Sequence, residues 1–159
     1  MDKLLGCLAG ALVLAVVLTS SCSRAHDQPD GGIVTAEQLR VVESMPWDEE
    51  VERGVPSPGA PRILISIPEL GAVVTAPVPV RIRFVAESDA RIIPGSLRVR
   101  YGPFDVTEKV RKKLVVSQDG IDGRIAEAVP GKYRFRMSIS DTQNRTGEAD
   151  LIFRVVSGR

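Results

Sequence analysis

Histidine and cysteine are almost absent from this chain: of 159 residues one is histidine, two are cysteine, and only 4% are aromatic. His26, Cys7 and Cys22 all lie near the start, so residues 61–159 contain neither type. Nucleophilic catalysis of the Ser-His-Asp or Cys-His kind needs an imidazole base beside the nucleophile. A zinc site draws on His and Cys ligands. Neither chemistry is open to the bulk of the chain. No Gly-rich phosphate loop follows a strand-like run, and no carboxylate pair stands out, so the residues point to no enzyme, no metal and no cofactor. Cys7 falls inside the leading apolar run, which leaves Cys22 as the only cysteine of a processed product and excludes an intrachain disulfide. With few aromatics, a core must rest on Ile, Val and Leu. A folded unit of about 100 residues still buries more than half of the surface its unfolded chain exposes.

A net charge of +1 names no partner and gives no reason to expect nucleic acid. The balance conceals an asymmetry. Residues 22–60 carry 8 acidic and 3 basic side chains, whereas 61–159 carry 11 acidic and 17 basic. The first part is therefore near −5 and the second near +6, a split that says more than the total.

The chain opens with Met1-Asp2-Lys3 and continues through an uncharged apolar run of 15 residues, Leu4 to Leu18. A membrane-spanning helix needs about 20 such residues, while a secretory h-region runs about 7–15. Residues 1–21 are accordingly read as a signal peptide. The run ends in Leu18-Thr19-Ser20-Ser21-Cys22, which resembles the bacterial lipobox. That resemblance implies acylation of Cys22 and a membrane-anchored lipoprotein, although Thr19 stands where the lipobox usually has Leu. Ser23 resembles residues that permit sorting to an outer membrane, facing the periplasm or the cell surface. The competing reading is ordinary cleavage after Ala25, which yields a soluble periplasmic or secreted product.

Residues 22–60 read as tether and stem. Ser23 to Gly32 is polar and turn-rich, a composition too poor in apolar surface to order itself, and His26 within it is expected to be solvated. Thr35-Ala36-Glu37-Gln38 has the capping-box pattern, with Val34 and Leu39 placed as a hydrophobic staple, and predicts a short helix over 36–45 that is marginal without docking. Trp47 sits among Asp48, Glu49, Glu50 and Glu52, either as an exposed recognition peptide or, as preferred here, packed on the domain with the carboxylates meeting basic residues. Val55 to Pro61 is rich in Pro and Gly and marks the domain boundary.

From Arg62 the hydrophobic period is two. Ile63, Ile65 and Ile67 alternate with Leu64 and Ser66. Val78, Val80, Ile82 and Phe84 alternate with Pro79, Arg81 and Arg83. Leu97, Val99 and Tyr101, then Tyr133, Phe135, Met137 and Ile139, then Leu151, Phe153 and Val155, complete five runs with polar outer faces, as antiparallel sheets wetted on one side require. Val106 to Lys113 fits a helical turn or a twisted strand. Asp119-Gly120 and Asp122-Gly123 supply turn chemistry before a short stretch at 125–129. The same pentapeptide is the best calcium candidate, but it lacks the third ligand and closing glutamate of a known loop, so turns are preferred. About seven strands over 61–159 predict an all-β, antiparallel sandwich.

Several motifs carry a resemblance. Pro61-x-Ile63-x-Ile65, Pro68-x-x-Gly71-Ala72 and Ala76-Pro77-Val78-x-Val80 resemble the opening of bacterial immunoglobulin-like and fibronectin type III-like domains. Pro130-Gly131-x-Tyr133-x-Phe135 followed by Asp141-x-x-Asn144 resembles their penultimate strand and the loop after it. The resemblance implies an immunoglobulin-like sandwich with Tyr133 as the tyrosine-corner residue. Phe135 stands where antibody domains keep their second cysteine, which implies the cysteine-free bacterial kind. Such motifs are structural and bring no activity with them.

The resemblance also implies that the third, penultimate and last strands share a sheet. Arg98, Arg100, Arg134, Arg136 and Arg154 would then form one basic face, with Glu148 and Asp150 at its edge. That face suits an anionic partner: an acidic envelope polysaccharide, a lipid headgroup or an acidic protein. The plainer reading, favoured here, is a solvated surface partly neutralised by Asp48, Glu49, Glu50 and Glu52 folding back. Arg81 and Arg83 on another strand show that outward arginine is common in this chain. The expected function is a non-enzymatic, lipid-anchored envelope module for protein interaction or scaffolding, with anionic-ligand binding as the alternative.

Overall fold

The computed structural model describes residues 32–46 and 58–158. Cys22, His26, Trp47 and the acidic residues 48–52 lie outside the described residues.

Strict alternation builds the core. Val78, Val80, Ile82 and Phe84 of β3 (Val78–Val85) are buried, while Pro79, Arg81 and Arg83 face solvent. In β8 (Gly131–Asp141), Tyr133, Phe135, Met137 and Ile139 are buried with polar side chains between them. Leu151, Phe153 and Val155 of β9 (Thr146–Val156) repeat the pattern. Two such half-apolar sheets have one way to hide their oily sides, which is against each other.

The remaining strands are β1 (Arg62–Ile67), β2 (Ala72–Thr75), β4 (Ile92–Tyr101), β5 (Phe104–Asp105), β6 (Val115–Val116) and β7 (Gly120–Ile125). A four-stranded sheet has the order β1-β3-β7-β6 and a five-stranded sheet the order β2-β9-β8-β4-β5. The described residues therefore form a two-sheet β-sandwich of nine strands, three of them with four residues or fewer. The expectation of about seven missed these short edges. The expectation of purely antiparallel pairing also needs correction, because β2 runs parallel to β9. The chain leaves β1 at the edge of one sheet and joins the edge of the other as β2, where it meets β9 in parallel.

Two local readings change. Asp122-Gly123 is not a turn: it lies inside β7, opposite Val80 and Arg81 of β3. Gly120 and Gly123 both have φ of +150°, and a Cβ on Gly120 would collide with the Ile82 carbonyl while one on Gly123 would lie 2.9 Å from Leu114. Gly123 serves close packing and Asp122 beside it imitates turn chemistry, whereas Asp119-Gly120 does close the hairpin between β6 and β7, where the Ser117 N–H donates to the Gly120 carbonyl at 2.9 Å. The segment at 106–113 resolves into α2 (Thr107–Lys113), whose Val110 is buried and whose last turn carries Arg111, Lys112 and Lys113 as the helix dipole favours. Arg111 donates to the carbonyls of Pro94, Gly95 and Leu97 at 3.1, 3.0 and 3.4 Å. It thereby covers the irregular stretch between Ile93 and Arg98, where β4 slips its register against β8.

The domain boundary at 61 is also too late. Thr35 caps α1 (Ala36–Glu43): its hydroxyl accepts from the Gln38 N–H at 3.2 Å, and the Gln38 side chain accepts from the Thr35 N–H at 3.0 Å. Ile33, Val34, Leu39 and Val42 are all buried in the main hydrophobic cluster. Two glycines make room for the helix. A Cβ on Gly131 would lie 2.6 Å from a Leu39 methyl, and one on Gly102 would lie 2.8 Å from a Val42 methyl. An eight-residue helix is too short to hold itself in water. Docking on the sandwich supplies what propensity lacks. Leu39→Ala should therefore cost about 2–5 kcal/mol and lower Tm by roughly 10 °C or more. A thermal shift of less than about 2 °C would show that α1 is not part of the cooperative unit.

Candidate functional site

The outer face of the five-stranded sheet gathers the arginines singled out in the sequence. Alternation places Arg98 and Arg100 on β4, Arg134 and Arg136 on β8, and Arg154 on β9, all opposite to buried neighbours. Register fixes their mutual positions. Arg98 pairs with Ser138 and Arg100 with Arg136 across β4 and β8. Across β8 and β9, Ser138 faces Glu148, Arg136 faces Asp150, Arg134 faces Ile152, and Lys132 faces Arg154. Lys132 belongs to the same alternating row and was overlooked, although its parity with Arg134 and Arg136 is legible in the sequence.

Asp150 organises the centre of this face rather than its edge. Its carboxylate accepts from Arg134 at 2.9 Å and from Arg136 at 3.2 Å. The Asp150 side chain is 10% exposed, with Arg134 and Arg136 at 20% and 33%. Burial pushes the carboxyl pKa up, but the two guanidinium hydrogen bonds and their charges outweigh it and hold Asp150 below the usual carboxylate range. At the β5 edge, Asp105 pairs in register with Arg100. Hydrogen bonds from Thr107, assisted by Arg98 and Arg100, hold it low as well. Internal carboxylates thus supply part of the countercharge that the sequence reading assigned to Asp48, Glu49, Glu50 and Glu52, which lie outside the described residues.

The charges are not spread evenly along the strands. Ser138, Ser140, Thr146 and Glu148 occupy the outward positions toward the hairpin that joins β8 to β9. Toward the opposite end stand Lys132, Arg134 and Arg154, with Ile152 between them. Val73 of β2 lies beside Arg154 and is 65% exposed. In all, six cations and three carboxylates (Asp105, Glu148, Asp150) share the face, an excess of three positive charges.

Tyr133 is buried, and its hydroxyl donates to the Val129 carbonyl at 2.6 Å, four residues upstream. Burial pushes its pKa up to about 12, although the bond to Val129 works the other way. At the far end of the sandwich, Asp141 is wholly buried and accepts from the backbone N–H groups of Gln143 and Arg145 and from the Arg145 guanidinium. These bonds overcome the burial penalty and keep its pKa low. Asn144 completes that turn with φ of +58°.

Among the described residues, no cluster of three or more His, Cys, Asp or Glu side chains comes together. Of the calcium candidate, Asp122 ion-pairs with Arg81 at 2.9 Å. The interior holds an apolar cavity of about 30 Å³, lined by residues including Ile33, Val110, Phe135 and Phe153. That is far below the roughly 300 Å³ of a typical ligand pocket, whereas a surface concavity of about 600 Å³ is lined by residues including Arg81, Arg83, Val115, Ser117 and Asp122.

Asp150 generates a pH-dependence whose sign is fixed. Its folded pKa is depressed, so its stabilisation is fully present above its unfolded value near 4 and is lost as pH falls through the folded value. Asp150→Asn leaves two half-buried guanidiniums sharing no carboxylate, and should lower Tm at pH 7 by roughly 5 °C or more. The gap to the native protein should close as pH falls below about 4. A gap that stays constant in thermal melts down to pH 2 would contradict the assignment.

No protein-family model matches the chain, and no curated protein matches it.

Proposed function

We propose that this protein is an exported lipoprotein, acylated on Cys22, that presents one non-enzymatic immunoglobulin-like module in the cell envelope for interaction with another envelope component. The observation that carries the reading is the topology. The order β1-β3-β7-β6 corresponds to strands A-B-E-D of an immunoglobulin-type sandwich, and β9-β8-β4 corresponds to G-F-C. The Tyr133 bond to Val129 supports it further, since a tyrosine corner returns its hydroxyl to the backbone a few residues upstream at this strand. Phe135 and the absence of cysteine in 61–159 favour the bacterial, fibronectin type III-like variety. Export and anchoring rest on the 15-residue apolar run and on Ser20-Ser21-Cys22. The reading as an interaction module rests on a filled interior and a broad charged sheet face.

A second reading has its own observation. Arg98, Arg100 and Arg154 are exposed on one sheet face that carries more cations than carboxylates, and an acidic envelope polymer or another anionic partner would complement it.

Labelled fatty acid should be taken up by the native chain and not by Cys22→Ser, which should leave the membrane fraction. Crosslinking in intact cells should give a discrete product with the native protein. If that product survives high salt, it fits a protein partner. A steep loss with salt fits the anionic reading, because exposed charge is screened within about 10 Å at 0.1 M. A native chain that stays unlabelled and soluble would contradict the anchored module.

A further inference from the structure

We infer that the open edge of β2 pairs with β2 of a second copy of this chain, joining two five-stranded sheets into one. The inference does not depend on acylation of Cys22.

The first ground is that this edge is left unprotected. A strand at a sheet edge presents unpaired backbone groups, which proteins blunt with charge, bulges, very short strands or a covering element. At the β4–β5 edge, the Val99 carbonyl accepts from the Val106 N–H at 2.9 Å, and Arg111 takes the carbonyls of Pro94, Gly95 and Leu97. In the other sheet, β6 has only two residues, while β1 carries Arg62 and a register shift between Ile65 and Ile67. Strand β2 pairs only with β9 among the described residues, without a register shift. No charge occurs from Leu70 to Val80. Every other described strand of four residues or more carries at least one. Exposed apolar side chains gather on the same flank: Leu64, Ile67, Leu70, Val73 and Val156 are five of the nine large ones among the described residues.

The second ground is the direction of the backbone groups. The Asp141 N–H bonds the Arg145 carbonyl, and the β8–β9 register then runs without a shift to Val155. Odd-numbered residues of β9 therefore turn their N–H and C=O toward β8, and even-numbered ones toward β2, as the bond from the Gly71 N–H to the Ile152 carbonyl bears out. The parallel ladder uses residues 72 and 74 of β2, which leaves the N–H and C=O of Val73 and Thr75 on the open side.

These groups are self-complementary in one register. With a two-fold axis at Val74, Val73 stands opposite Thr75 of the second copy, and the two such pairs exchange four hydrogen bonds. An axis at Val73 would call on the Gly71 N–H, which Ile152 already holds. An axis at Thr75 would call on Pro77, which has no N–H. Side chains agree with the same register. On the outer face the row runs Arg154, Val73, then Thr75 and Val156 of the second copy. The exposed valines form one strip, and the two Arg154 side chains stand at its margins, at least about 14 Å apart across three strand spacings.

Such a pairing is small beside a standard interface, so Kd is expected at about 10 μM. The full chain in mild detergent should sediment as a dimer at about 100 μM and as a monomer at about 1 μM. Val73→Lys places a charge on the exposed strip and should weaken association by about tenfold or more, with Tm unchanged within a few degrees. Val115→Lys, at an equally exposed valine on β6, should leave it unchanged within about twofold. Val74 of the two copies would lie about 4.5 Å apart between Cα atoms, within disulfide range. Val74→Cys should therefore give a disulfide dimer under mild oxidation well above the level of the parent chain, and Val115→Cys should not. A chain that stays monomeric at about 100 μM, or dimers indifferent to Val73→Lys, would overturn the inference. So would a monomer whose Val73 and Thr75 amides exchange slowly, since the edge would then be covered from within its own chain. Disulfide capture by Val74→Cys of a different protein in place of a second copy would also overturn it.

Discussion

The structure depends most on one layer of aromatic rings between the sheets. Tyr101, Tyr133, Phe135 and Phe153 are all buried, with ring centroids 5.3 to 6.1 Å apart. They account for four of the seven aromatic residues in the chain. Large rings at this spacing supply packing that small aliphatic side chains would leave incomplete. The two tyrosines bring hydroxyls into the interior, and each reaches a carbonyl: Tyr133 that of Val129 at 2.6 Å and Tyr101 that of Lys132 at 3.3 Å. Both acceptors lie around the start of β8, so the rings also fasten the corner on which α1 docks. Packing, hydrogen bonding and the position of the N-terminal helix are thus tied to a single end of the sandwich.

That end also organises the surface. Because α1 closes over Gly102 and Gly131, the preceding chain must emerge beside Glu127. The same strand alternation that sends Tyr133 inward sends Lys132 and Arg134 outward. The outward cations at the start of β8 thus follow from the core pattern, with no separate device. Asp150 limits the repulsion by binding Arg134 and Arg136, and Asp141 does a corresponding task for Arg145 at the other end. Both carboxylates are buried enough to require these partners, which makes them structural charges, whereas Arg98, Arg100 and Arg154 remain exposed.

Much of this was legible in the residues. Period-two alternation marked β1, β3 and β8 within about two residues but only the second half of β9, and parity placed the five arginines on outward positions. The capping box at Thr35 and Gln38 located α1. The misses have physical causes. Alternation is visible only from Leu97, yet β4 extends back to Ile92 because Ser96 and Arg111 satisfy the groups that the irregular ladder leaves over. Asp122-Gly123 reads as a turn, yet the glycine is there because Leu114 leaves no room for a Cβ. Docking of α1 could not be read because it depends on two small residues, Gly102 and Gly131, that lie far from the helix in sequence. The role of Asp150 depends on register, which alternation alone does not specify.

Titration of the tyrosines by absorbance at 295 nm tests the central claim most directly. The chain has two tyrosines, and burial raises the pKa of both. Their protonated forms are the ones that the fold accommodates, so this stabilisation is fully present below the unfolded value near 10 and is lost as pH rises through the folded value, about 12 for Tyr133. The account predicts no phenolate signal near pH 10 in the folded protein, and a late rise that coincides with loss of structure by circular dichroism. Reversible ionisation of either tyrosine near pH 10 with the fold intact would contradict the buried aromatic layer and everything built on it.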